Sequence, residues 1–218
     1  MAPGLEGTGR MADDVWLLAH DDVTGKPYIQ PRSLGLGLAG SLLAELVLAG
    51  ALAVAGDQIA VTARRRPPGD ELACHVLGLV AGEREAHPVR DWLAYLARTA
   101  PAGVASRLVA AGYLAEAGRW VPWRPARWVP ADRDSAFAPV LRARAALDAG
   151  RPLTAHAAVL TGLAQACGLG FRLAEYAPAH ARPIEQVTAR LRDRDPGLGE
   201  LISQTRTAVD SAVLAHRT

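Results

Sequence analysis

The chain is short of three things: it has two cysteines, one lysine, and aromatic side chains at only 5% of 218 positions. Two cysteines far apart, Cys74 and Cys167, exclude a disulfide framework, and no Cys-x-x-Cys or His-x-x-x-His pair offers a zinc site. In apolar surroundings both read as buried, reduced thiols. With few aromatics, the interior must be built from Ala, Leu and Val, a mix that favours close-packed helices over sheets. No linker-like run of Pro, Gly or Ser divides the chain, so its length is read as one domain. No basic n-region followed by an apolar h-region precedes that domain, and a cytoplasmic protein is expected. All basic residues except Lys26 are Arg. With the excess of Ala and Gly, this points to a GC-rich, bacterial genome.

What is present begins with charge. The formal net charge is +2, but it is unevenly spread. Residues 1–63 hold three basic and seven acidic side chains, whereas residues 98–151 hold nine Arg against Glu116, Asp132, Asp134 and Asp148. A localised positive block suits an anionic partner, either phosphate-rich lipid or nucleic acid.

Residues 1–12 lack periodicity and read as a disordered leader, with Met11 an alternative start and ordered structure expected from Asp13 through residue 218. Ser33 to Gly50 is the most apolar stretch and barely long enough to span a bilayer. Glu45 near its centre argues against spanning, since a mid-membrane carboxylate costs roughly 2.5–3.5 kcal/mol. A buried central helix is expected instead, with Gly35, Gly37 and Gly40 letting other helices approach. Ala51–Val54 and Gln58–Thr62 flank Gly56-Asp57 as a tight hairpin. Arg64-Arg65-Arg66 sits in an exposed basic loop, and Asp70 caps a helix from Glu71 to about Gly82. Pro88 opens a helix bearing Trp92, Leu93 and Leu96, and Val104, Leu108 and Val109 mark the next, closed by Gly112. Helices follow at 135–149, 154–166, 183–192 and 198–216, with a short turn around Phe171. The expected fold class is mainly α: a compact helical domain around a buried central apolar helix, with one or two short β-hairpins.

Catalytic signals are weak. His20-Asp21-Asp22 has the residue types of a metal or acid/base site, but adjacent side chains diverge and a turn held by Asx-type hydrogen bonds fits better. The remaining histidines are dispersed, and neither a Gly-x-Ser-x-Gly elbow nor a phosphate-cradling Gly-rich loop occurs. The Gly-x-Gly-x-x-Gly spelling at 35–40 lies within the apolar helix, without a preceding strand. No enzyme, cofactor or metal is expected.

The segment 119–128 is different, because Trp120, Trp123 and Trp128 alternate with Arg119, Arg124 and Arg127, and Pro122 and Pro125 prevent a regular helix or central strand. Indole rings favour the membrane interface and Arg pairs with lipid phosphate, so a protruding, membrane-contacting hairpin is one reading. A flap packed on the core, a dimer contact, or the wing of a DNA-binding domain over residues 104–130 are the alternatives. Nucleic acid is the less favoured partner.

Five separated stretches resemble the Golgi phosphoprotein 3 family of peripheral membrane proteins. They are Leu17-Leu18 ahead of the acidic turn ending Gly25-Lys26, the run Gly37 to Leu46, Pro68-Gly69-Asp70, Asp91-Trp92-Leu93, and Leu108 to Leu114. The resemblance implies a helical domain around a buried central helix, with a hairpin contributing to membrane contact and homo-oligomerisation. It also implies recognition of phosphatidylinositol 4-phosphate and, in eukaryotic members, of glycosyltransferase tails. Where those members place a Trp and an Arg about the central helix, this chain has Gln30 and Ala39. Of two Arg ahead of the Leu-Val-x-x-Gly helix, Arg98 matches the first, and Pro101 stands at the second. The expectation is a peripheral protein on the inner membrane face. It binds anionic lipid through Arg98, Arg32, Arg107 and Gln30, with Trp120, Trp123, Arg124, Arg127 and Trp128 on the hairpin. Its protein partner is unspecified.

Overall fold

A computed structural model describes residues 8–62, 70–117, 127–148, 152–174 and 183–215. Helices dominate: α1 (Met11–Leu18), α2 (Pro31–Leu48), α3 (Glu71–Gly82), α4 (Val89–Leu96), α5 (Ala100–Ala110), α6 (Arg133–Leu147), α7 (Ala155–Ala166), α8 (Gly170–Ala174), α9 (Ile184–Arg194) and α10 (Pro196–Ala215). A three-stranded antiparallel sheet joins β1 (Leu52–Ala55), β2 (Gln58–Val61) and β3 (His87–Pro88), and a second hairpin pairs β4 (Leu114–Ala117) with β5 (Arg127–Pro130). The fold is mainly α, as the composition requires.

The centre is α2. It is apolar all round, the signature of a helix packed on every side, and α1, α3, α4, α5, α7 and α10 all lie against it. Among the described residues it alone is long and apolar enough to cross a membrane, but 72% of it is buried within the fold. Its glycines take three different neighbours. A β-carbon on Gly35 would meet the Ala97 carbonyl beyond α4, one on Gly37 would meet Cys167 Sγ after α7, and one on Gly40 would meet Thr205 Oγ1 of α10. The dinucleotide-like spelling is therefore a packing device.

Local signals set most boundaries. Asp70 Oδ1 accepts from the Leu72 and Ala73 N–H groups and starts α3. Asp132 and Thr154 cap α6 and α7 in the same way. Gly112 stops α5 at φ +78°, a left-handed conformation that a β-carbon disfavours. Order begins earlier than expected: α1 starts at Met11 rather than Asp13, and all eight of its residues are buried. The thiols differ from expectation at one site, because Cys167 is buried but Cys74 is only half-buried; neither is in a disulfide. The basic loop Arg64-Arg65-Arg66 lies outside the described residues.

Candidate lipid-facing site

Two helix starts meet at one end of the molecule. Gly35 rests against the Ala97 carbonyl, so the first turn of α2 lies beside the α4–α5 junction. Gln30, Arg32 and Arg98 are all exposed there. Neither N-cap residue, Gln30 for α2 or Thr99 for α5, makes a side-chain capping bond, which leaves the first-turn N–H groups unclaimed by a cap side chain. Two exposed guanidinium groups beside the positive ends of two helices make this a candidate surface for an anion. Pro101 occupies the first turn of α5, where its missing N–H costs nothing, and Ala39 is fully buried inside α2.

Arg107 is not part of this group. It is bound at the other end of α2, where Glu45 lies roughly 20 Å farther along the helix than Arg32 at about 1.5 Å of rise per residue. Its Nε donates to Asp13 Oδ1 at 2.7 Å, Nη1 to Asp70 Oδ2 at 2.8 Å, and Nη2 to Glu45 Oε1 at 3.1 Å. Arg10 adds a 3.4 Å contact to Asp70. Burial raises the Asp13 and Glu45 carboxyls above the usual range, with Arg107 opposing. Burial also works against the Arg107 cation, but Glu45 and Asp13 overcome it and hold the proton more firmly than usual. A cleft of about 570 Å³ opens beside this cluster. With three carboxylates around Arg107 and Arg10, it has no excess positive charge to offer a phosphate.

A second buried pair secures α1. Asp14 accepts from Arg142 of α6 and sits 3.1 Å from His156 Nε2 of α7. The adjacent Asp13 and Asp14 thus point in different directions from α1, and each is held by an arginine from a different helix.

The hairpin leaves the body immediately after Gly112. Leu114 pairs with Pro130 and Glu116 with Trp128. Trp128 is half-buried and packs against the core, so it secures the base of the hairpin. Trp120, Trp123 and Arg124 lie outside the described residues, as does the side chain of Arg127. The turn at 21–27 props up the hairpin: a β-carbon on Gly25 would collide with the Trp128 carbonyl, and Arg133 Nε donates to Asp22 Oδ2 at 3.0 Å.

His20-Asp21-Asp22 is a structural turn. Asp21 Oδ1 accepts from the Val23 N–H, the Thr24 N–H and the Thr24 hydroxyl, and these bonds hold its carboxyl far below the usual range. His20 stacks on Trp16, with its Nδ1 2.6 Å from the Trp16 carbonyl, and burial lowers its proton affinity. Among the described residues, no group of three His, Cys, Asp or Glu side chains could hold a metal ion. The sequence missed the ionic cluster, although Glu45 in an otherwise apolar helix signalled that a cation had to meet it.

Comparison with curated proteins found no match. The family model for Golgi phosphoprotein 3 (GPP34) matches residues 11–213, from the first residue of α1 into the last turns of α10. The chain therefore belongs to the Golgi phosphoprotein 3 family.

Proposed function

We propose that this protein is a non-catalytic, peripheral membrane protein that docks on anionic phospholipid at the cytoplasmic face of a membrane. The observation that carries the reading is the exposed pair Arg32 and Arg98 beside two helix starts without capping side chains. Family membership and the Trp/Arg composition of residues 119–128 support it. Arg98 and Arg32 meet the lipid phosphate, with Gln30 alongside. Trp120 and Trp123 enter the interface, with Arg124 and Arg127 on the headgroups, while Trp128 holds the hairpin to the body. Phosphatidylinositol 4-phosphate is the headgroup that the family suggests. With Gln30, Ala39 and Pro101 at three pocket positions, selectivity among anionic headgroups is expected to be low. The hairpin also offers a surface for contact between copies of the chain.

Co-sedimentation with vesicles tests this reading. Binding should rise with the fraction of anionic lipid and fall when Trp120 and Trp123 are replaced by Ala. Binding that ignores lipid charge, or survives both replacements, rejects it. A vesicle series containing phosphatidylinositol 4-phosphate or phosphatidylserine at equal charge measures headgroup selectivity.

A further inference from the structure

Arg172 is a buried cation without a counter-ion among the described residues. It lies on the five-residue helix α8, packed on α6 and α7 between the fully buried Leu169 and Leu173, and only 9% of its surface is exposed. Its guanidinium lies 4.9 Å from the centroid of the Tyr28 ring. Its Nε and Nη2 have no hydrogen-bond partner, and it forms no ion pair among the described residues. These two nitrogens share one edge of the guanidinium, the side-on fork that grips two oxygens of a carboxylate or phosphate. A buried charged donor is costly unless its hydrogen bonds are made, and stacking on an aromatic face compensates only in part.

The surroundings favour a doubly charged anion. Arg144 of α6 donates from Nη2 to the Arg172 carbonyl at 3.0 Å, which anchors a second arginine to the same short helix. Arg144 is itself steadied over the Phe137 ring at 5.3 Å. Asp21, the carboxylate that accepts the Tyr28 hydroxyl, is already committed to its own turn. On the solvent side, Tyr28 meets Phe171 edge to face at 5.7 Å, and the two rings are 38% and 51% exposed. Entry of an anion to the fork requires these two surface rings to move aside.

We infer that the Arg172 fork, walled by Tyr28 and flanked by Arg144, binds a phosphate group, as the free anion, a soluble phosphate monoester or a lipid headgroup. This site shares no residue with the Arg32 and Arg98 surface and does not rest on the function proposed for it.

The test is thermal unfolding of the full chain in ~10 mM inorganic phosphate, against acetate and chloride at matched ionic strength. Phosphate should raise the midpoint by ~3 °C. Arg172→Lys, which keeps the charge but loses the fork, should abolish most of that rise while retaining a wild-type circular dichroism spectrum. Arg194→Gln, at an exposed arginine of α9, should leave it intact. If Arg172→Lys misfolds, Arg144→Gln provides the second reading, with the rise at least halved. An equal rise with acetate, no rise with phosphate, or a full rise in the folded Arg172→Lys variant overturns the proposal. Vesicles containing phosphatidic acid separate the sources: displacement by inorganic phosphate in wild type but not in Arg172→Lys assigns a lipid headgroup. Stabilisation by phosphate with no effect on vesicle binding assigns a soluble phosphate.

Discussion

Arg107 and Glu45 face each other across the interior, with Nη2 of one 3.1 Å from Oε1 of the other. Glu45 also accepts the Ala12 N–H at 2.7 Å, so one carboxylate ties the core helix to both α5 and α1. Removing the arginine would leave Asp13, Glu45 and Asp70 without their shared cation. Arg107→Met is therefore expected to cost about 3–5 kcal/mol. Urea unfolding measures this loss, and a cost below about 1 kcal/mol would show that the cluster does not stabilise the fold.

The same cluster sets a pH dependence. Burial raises Asp13 and Glu45, so the folded state holds protons that the unfolded chain releases above about pH 4. Their contribution is complete below that pH and is lost as pH rises through their folded values. Glu45→Gln removes one of these titrations. The stability of wild type minus that of Glu45→Gln should fall as pH is raised from about 4 to 7. A difference that is flat or rising over that range contradicts the assignment.

His20 titrates in the opposite sense. Burial lowers its proton affinity, so the folded state prefers the neutral ring, and the stability it adds is present above about pH 6.5 and lost as pH falls. Histidine ring NMR should find the His20 ring still neutral at about pH 6.5, the midpoint of an unperturbed imidazole.

Gly40 and Thr205 are in close contact. A β-carbon on Gly40 would sit 2.5 Å from Thr205 Oγ1. Gly40→Ala should destabilise by about 1–3 kcal/mol through overpacking, and Thr205→Ala should recover part of that loss. A double-mutant cycle that shows no coupling would mean that the helices separate freely here.

Lipid binding gives the last prediction. Each of Arg32 and Arg98 should contribute about 1 kcal/mol to binding of anionic vesicles, roughly fivefold in affinity, and the effect should fade as salt screens it. Titration of Arg32→Ala, Arg98→Ala and the double variant at two salt concentrations measures it.

Much of the fold was legible because its signals are local. Asp70 and Gly112 mark helix ends through the bonds they make or the backbone angle they permit, and the apolar run from Ser33 announced a helix with no solvent face. The burial of α1 was not legible. Its adjacent Asp13 and Asp14 look like surface residues, because the arginines that neutralise them lie 94 and 128 positions away. For the same reason Arg107 was grouped with Arg98: closeness in sequence and positive charge were visible, but the carboxylates that occupy it were not. Arg172 carried no signal at all, since its isolation depends on which helices close around it.

The two aspartates of α1 also set a timetable for folding. Their partners Arg107, Arg142 and His156 arrive late in synthesis, so α1 and the apolar α2 leave the ribosome long before the charges that neutralise them. A nascent chain cut short before α6 holds an incompletely covered apolar helix beside Asp14, whose partners Arg142 and His156 are still missing. Chaperone dependence and degradation of truncated products should therefore concentrate before α7 has emerged and fall once it has.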